Sequence, residues 1–383
     1  MLCGIIPAMK RLIPILLILL TACTTAPLPV TVLPTPVQTT LVRGPYLQSV
    51  TPTSVIVAWE TADPAPGVVA YGESAAGERV AADPEVTARH VVTLTGLTPY
   101  TLYHYQVFAD VIPLGADSIP LSGDFTFRSA AGPDQSRFTF VLFGDTRTQH
   151  EVHRAVVERI LTWQPDFAIH TGDLVEHGGE AAEWQTFFSI EQELLARTPF
   201  FPILGNHEGN SPLYFDLFYL PGNERWYSFD YGNAHFVCLQ ADNFADLSPE
   251  SEQVRWLEAD LVASDRLWKM AVFHVPAYSS LFREQNDPRT RQVLAPILAA
   301  HGVQVAFSGH DHGYQRLVVD GVTYVVSAGG GAPLYELSQL HPNLVAHAVA
   351  YHALLVTVDG PTLTAVAVSP QGEELDRFTL TAR

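Results

Sequence analysis

Arg137–Asp145 reads RFTFVLFGD, a largely apolar run that stops on Gly-Asp. An apolar stretch of this length, bounded by a turn residue, describes a strand buried on both faces. EVHRAVVERILTW (151–163) follows with apolar residues at helical spacing, and DFAIHTGD (166–173) then repeats the strand and its Gly-Asp ending. EAAEWQTFFSIEQELLA (180–196) is helical again, and TPFFPILGNHE (198–208) is a third strand with a polar end. Strand–helix–strand alternation of this kind predicts an α/β domain with its site where strands run out into loops. RWYSFDYGNAHFVCLQA (225–241), KMAVFHVP (269–276), VQVAFSGHDH (303–312) and GVTYVVSAGG (321–330) continue the strands, and the alternating segment 352–380 predicts hairpins that complete a second sheet. The domain spans 137–383.

Upstream the pattern is different. SVIVAWET (54–61), GVVAYGES (67–74), RHVVTLTGL (89–97), TLYHYQVFA (101–109) and GDFTFRSA (123–130) are short alternating runs separated by Pro, Gly and Asp. They predict a small antiparallel β-sandwich over 43–130. It carries no titratable cluster, so its expected role is to pack against or position the next domain. Before it, residues 24–42 are rich in Thr and Pro and uncharged, which predicts an extended stalk rather than a core. MKRLIPILLILLTACTT (9–25) has a basic start, a short apolar run and small residues before Cys23, the form of a signal peptide. Its Leu-Thr-Ala-Cys ending resembles a bacterial lipobox, which implies residues 1–22 as a leader, 23–42 as linker, and an exported protein held at the membrane through a lipidated Cys23.

The 383-residue chain is 47% hydrophobic and carries a formal charge of -19, a field that repels nucleic acid and anionic lipid. Local positive charge for a phosphate-bearing ligand must come from elsewhere, and a metal cluster is one source. Cys3, Cys23 and Cys238 are too few and too scattered for a disulfide framework or a zinc-binding Cys pair.

Five strand-to-loop junctions end in metal-competent residues: Gly144-Asp145, Gly172-Asp173, Gly205-Asn206-His207-Glu208, Phe273-His274 and Gly309-His310-Asp311-His312. One Gly-Asp is an ordinary turn, but five junctions of one form, in order, mark a site. Carboxylate, amide and imidazole together suit borderline ions such as Zn, Mn or Fe.

The arrangement resembles the calcineurin-like metallophosphoesterases, and among them the purple acid phosphatases. GPYLQSVTPTSVIVAWET (44–61), YSFDYGNAHFVCLQ (227–240), GHDHGYQR (309–316) and GGGAPLY (329–335) carry the narrower match. LTPYTLYHYQV (97–107) resembles a fibronectin type III stretch. The resemblance implies a two-sheet β-sandwich flanked by helices, two divalent or mixed-valence ions (Fe, Zn or Mn) and hydrolysis of small phosphate monoesters. Phosphodiester or nucleotide hydrolysis is the alternative, and a non-catalytic surface binding protein on the same scaffold a third. In the family an aspartate bridges the ions, which implies that role for Asp173. Asp145 and His312 would serve one ion, and Asn206, His274 and His310 the other, with a hydroxide held between them as nucleophile. His310 and His312, two apart on an extended segment, are expected to project to one side. His207 is implied as the acid assisting the leaving group, with Glu208 orienting it.

Two positions depart from the family pattern. GDTR (144–147) places Arg147 where a ligand histidine is common, and GDLVE (172–176) places Glu176 at the iron-binding tyrosine. The departures imply a colourless enzyme and an Arg147 that contacts the phosphoryl group rather than a metal; pairing of Arg147 with a nearby carboxylate is the competing expectation. Glu176 is a harder ligand that could complete the site. His150 and His153 flank a helix start near Arg147, and His170, His177, His235 and His301 are expected to be structural.

Overall fold

The computed structural model describes residues 39–110, 118–280, 288–337 and 339–382. The expected leader, Cys23 and most of the linker lie outside them. In the N-terminal domain β1 (Leu41–Gln48) pairs with β2 (Ser54–Gly72), which also pairs with β3 (Arg79–Thr95) and β4 (Leu102–Phe108); β5 (Phe125–Arg128) pairs with β4. The sequence reads as two strands broken at Thr61–Gly67 because Pro64, Pro66 and Gly67 mark a turn. β2 instead runs through, and the irregularity is absorbed as register shifts between Glu60 and Ala65 and between Ala65 and Gly67. Bulges are where a strand tolerates proline.

The larger domain holds two sheets. β6 (Arg137–Phe143), α1 (His150–Leu161), β7 (Phe167–His170), α2 (Ala181–Arg197) and β8 (Phe200–Pro202) form a parallel β6-β7-β8 run, and α3 (Pro212–Leu217) follows. β9 (Tyr227–Tyr231), β10 (Ala234–Leu239), α4 (Glu252–Ala263), β11 (Trp268–Phe273), α5 (Ala295–Ala300), β12 (Val305–Ser308), β13 (Tyr314–Val319), β14 (Val322–Ser327) and β15 (Leu344–Ala348) build a seven-stranded sheet whose centre, β10-β11-β12-β14, is parallel. β16 (Ala353–Asp359), β17 (Thr362–Val368) and β18 (Glu374–Thr381) return as the expected hairpins, with β16 beside β6, and complete a six-stranded sheet. The apolar runs explain the layering. Phe140 and Phe167 of one sheet meet Phe236 of the other edge-on at 5.3 and 5.5 Å, and Phe140 meets Phe307 at 6.2 Å. All four are fully buried.

The N-terminal domain is fixed against the flank of this sandwich. Tyr46 Oη donates to Leu217 O (2.9 Å), Gln48 Nε2 to Phe200 O (3.2 Å) and Tyr105 Oη to Ala196 O (2.7 Å). Each buried polar group thereby finds a partner across the domain boundary, as burial requires.

His235 is a buried structural cation. Its Nδ1 lies 2.8 Å from Asp230 Oδ1 and its Nε2 2.8 Å from Asp260 Oδ2, so both ring nitrogens face carboxylates. Burial disfavours the charged ring, but hydrogen bonds to Asp230 and Asp260 and their charges outweigh it and push the pKa up to about 9. The folded value exceeds the ordinary value of about 6.5, so the stabilisation is complete below pH ~6.5 and lost as pH rises through about 9. His235→Gln should therefore cost on the order of 1–3 kcal/mol at pH 6, with the gap to wild type closing towards pH 10 in thermal denaturation. A gap independent of pH would show that the ring acts by packing alone.

Candidate metal centre

The parallel strands of both sheets deliver their C-terminal ends to one place. β6 leads into Asp145, β7 into Asp173, β8 into Asn206, β11 into His274 and β12 into His310. Asp145 (φ 56°), Asp173 (φ 56°) and His310 (φ 69°) all adopt left-handed backbone, which non-glycine residues rarely occupy and which clusters at functional sites. The chain turns sharply there, and the side chain points inward rather than along the strand. Neighbouring loops hold these turns: Asp145 N–H donates to Gly172 O (3.0 Å) and Thr146 N–H to Asp173 O (3.1 Å). Gly172 is required by close approach as well as by its φ of 93°, since a Cβ would lie 2.6 Å from His274 Nδ1.

Two groups of ligand atoms form, and Asp173 belongs to both. In one, Asp173 Oδ1 lies 3.2 Å from His274 Nε2, and Asn206 Oδ1 lies 3.1 Å from His274 Nε2 and 2.9 Å from His310 Nδ1. In the other, Asp145 Oδ1 lies 3.4 Å from His312 Nε2, with Asp173 completing the group. The two imidazoles His274 and His312 are preset. His274 Nδ1–H donates to Thr171 O (2.7 Å) and His312 Nδ1–H to Pro333 O (2.6 Å), which leaves each Nε2 turned to the carboxylates. The cluster's field shows in His274: burial disfavours its charged form, yet Asp173, by charge and hydrogen bond, and Asp145 push its pKa up to about 10. Cation binding there displaces a proton. This donor set of carboxylate, amide and imidazole fits a pair of borderline ions.

Several expectations are corrected in detail. His310 and His312 do not lie on an extended segment. The chain bends at Gly309–Gly313, with His310 at φ 69°, and this bend lets one segment feed both groups. Glu208 does not orient His207. It is buried, and its carboxylate accepts backbone N–H groups from Asp173 (3.0 Å), Leu174 (2.8 Å), Val175 (3.3 Å) and Gly205 (2.7 Å), tying the second loop to the third. His207 is oriented instead by donating Nδ1–H to Glu176 O (2.7 Å), with Nε2 at 3.8 Å from Asp173 Oδ2. Its side chain is about one-quarter exposed (24%), so it faces both the cluster and solvent.

Arg147 does pair with a carboxylate: Nη1 donates to Glu176 Oε2. Its Nε stands 3.4 Å from Asp173 Oδ2 and its Nη2 3.5 Å from His312 Nε2. Glu176 is thus directed at Arg147 and belongs to neither metal-competent group. His153 is buried and bonded to buried Glu191 of α2 (2.6 Å), and His150 begins α1; both line a cavity beside Arg147 and belong to neither ligand group. His170 bonds Thr146 Oγ1 (3.1 Å), His177 bonds Glu183 (2.8 Å) and His301 caps α5. Sequence reasoning missed Tyr335, whose ring stacks on His312 at 4.1 Å and 13°. The signal was present in GGGAPLY (329–335), whose Pro333 carbonyl and Tyr335 ring together fix that imidazole.

Two facing sheets whose parallel strands end in a shared carboxylate–imidazole cluster define the metallophosphoesterase architecture. Residues 138–314 match the calcineurin-like phosphoesterase family model, and residues 43–129 match the purple acid phosphatase N-terminal domain. The chain thus carries a calcineurin-like phosphoesterase domain preceded by a purple acid phosphatase N-terminal domain, and the curated proteins it resembles are purple acid phosphatases. Purple acid phosphatase 18 of Arabidopsis thaliana is 29% identical over 287 residues, covering 68% of this chain and 62% of that protein. Probable inactive purple acid phosphatase 1 of the same plant is 26% identical over 315 residues, covering 66% and 51%. The chain thus spans between half and two thirds of the length of these relatives. The purple acid phosphatase from yellow lupin (Lupinus luteus) seeds shares the fold, with a TM-score of 0.77 at 20% identity over 88% of this chain and 74% of that one.

Proposed function

We propose that the protein is a two-metal hydrolase of phosphate monoesters, with Asp173 bridging, Asp145 and His312 holding one ion, and Asn206, His274 and His310 the other. The carrying observation is that Asp173 belongs to both ligand groups, with His274 and His310 in one and with Asp145 and His312 in the other. A metal pair supplies Lewis-acid stabilisation and activation of the nucleophile when bound. The chain's own residues do the rest. Glu208 holds the two ligand loops together through four backbone bonds, which preorganises the donors. His207, with Nδ1 anchored on Glu176 O, presents Nε2 as the proton donor to the departing alkoxide. Arg147 carries a fixed positive charge beside Asp173 and supplies donors matched to phosphoryl oxygens. In an otherwise acidic protein this is where an anionic substrate gains its attraction.

A panel of phosphomonoesters and phosphodiesters tests the reading. Monoesters should be turned over faster than diesters, and a reversed preference would establish the phosphodiesterase alternative. A non-catalytic role is the second reading, since a relative of similar identity is named as inactive. Retention of all six candidate ligand residues in two groups favours hydrolysis.

Export and anchoring through Cys23 belong to the same proposal and rest on the Leu-Thr-Ala-Cys stretch with its basic start and Thr/Pro-rich follower. Intact-mass analysis of membrane-extracted protein should show residues before Cys23 removed and acyl mass added. An unmodified N-terminus retaining Met9 would rule this out.

A further inference from the structure

The two ligand groups differ in what already faces their donor atoms. In the first, His312 donates Nδ1–H to Pro333 O, so its Nε2 lone pair points inward, and Arg147 Nη2 stands 3.5 Å from it. Arg147 Nε stands 3.4 Å from Asp173 Oδ2, whereas it is Oδ1 that meets His274. One guanidinium therefore confronts two of the three residues of the group Asp145–Asp173–His312. It is held there: Nη1 pairs with Glu176, and its side chain is largely buried (11% exposed). An arginine cannot shed its charge to make room, because its proton is retained at any working pH.

The second group is built otherwise. His274 donates Nδ1–H to Thr171 O, which turns its Nε2 towards Asp173 Oδ1 at 3.2 Å and Asn206 Oδ1 at 3.1 Å. His310 Nδ1 approaches Asn206 Oδ1 at 2.9 Å and His274 Nε2 at 3.3 Å. Four ligand atoms close on one point, and Arg147 contacts none of them. Its approach to Asp173 is through the other oxygen.

We infer that the Arg147 guanidinium is a resident cation of the first subsite, so that the two subsites load unequally. Asp173, Asn206, His274 and His310 hold their ion tightly, and Asp145, Asp173 and His312 hold a second, exchangeable one. This rests on the two-metal reading above. The physical reason is like-charge repulsion together with competition for the Asp173 Oδ2 and His312 Nε2 lone pairs. Unit charges a few Å apart, even at an effective dielectric of ~20, interact strongly enough to shift a binding constant by about two orders of magnitude. Arg147 acts here through charge and not as a ligand, so it is a positioning residue for metal occupancy.

Calorimetric titration of the metal-stripped full chain with Mn²⁺ tests this without reference to turnover. Wild type should show two binding events separated by ~100-fold in Kd. Dialysis of the loaded protein should leave about one ion per chain by elemental analysis, the number expected when the weaker ion exchanges. His312→Ala should delete the weaker event and leave the tighter one, and Asn206→Ala should weaken the tighter one. Arg147→Gln, which removes charge while keeping a polar side chain, should tighten the weaker event by at least ~10-fold and leave the tighter event within about threefold. Arg147→Ala should do the same, so the result does not depend on one replacement. Two events of equal affinity in wild type, or a weaker event unmoved by both Arg147 variants, would overturn the inference while leaving the two-metal reading intact. No Mn²⁺ binding at all would overturn both.

Discussion

Asp173→Ala should abolish turnover, lowering kcat/KM by at least ~10⁴-fold, and should take metal content from two ions to one or none. Among the described residues Asp173 is the one carboxylate that belongs to both ligand groups, with Oδ1 at 3.2 Å from His274. Asp173 also accepts His207 N–H at Oδ1 (3.1 Å), so alanine disturbs the third loop as well. Asp173→Asn separates these effects. It keeps an oxygen for the backbone bond but removes the charge and the second ligating oxygen, and should lose metal and activity nearly as fully. Elemental analysis alongside kinetics is the check. If Asp173→Asn kept both ions, the bridging role would fall to another residue.

His207→Ala should retain both ions and lose ~10²–10⁴-fold in kcat, the range for removal of a general acid. The residue lies against the cluster without belonging to either ligand group. The loss should depend on the leaving group. Alkyl phosphates, whose alkoxide needs a proton, should suffer most, and dinitrophenyl phosphate, whose phenolate leaves unaided, least. A merely structural histidine would depress all substrates alike. Loss of metal in this variant would place His207 among the ligands instead.

The residues that converge on the candidate metal centre were legible in the sequence because each is local to a strand end. An apolar run fixes the strand, and the residue after its glycine inherits the position, as at Gly144-Asp145 and Gly172-Asp173. The two-sheet α/β domain was legible for the same reason, down to the hairpins of 352–380 that join β6. What was hidden depends on segments meeting that are distant in the chain. Glu208 reads as a partner for the adjacent His207, but its bonds reach back to Asp173, Leu174 and Val175. Arg147 and Glu176 were each singled out as departures, yet nothing local says that they pair. The bend at His310 was likewise hidden, since alternation favoured an extended segment and only the site itself requires φ of 69°. In β2 the error ran the other way. Pro64, Pro66 and Gly67 are good turn residues, and pairing with β3 and β4 overrode them.

On the two-metal reading, hydrolysis depends on the pair of subsites joined by Asp173. The most direct test is turnover of p-nitrophenyl phosphate by metal-stripped protein as Mn²⁺ is added back, with bound metal measured at each point. Activity should be absent without metal, remain low while the first equivalent binds, and rise as the second does. Turnover that persists in the stripped protein, or that is absent at every metal loading, would contradict the account.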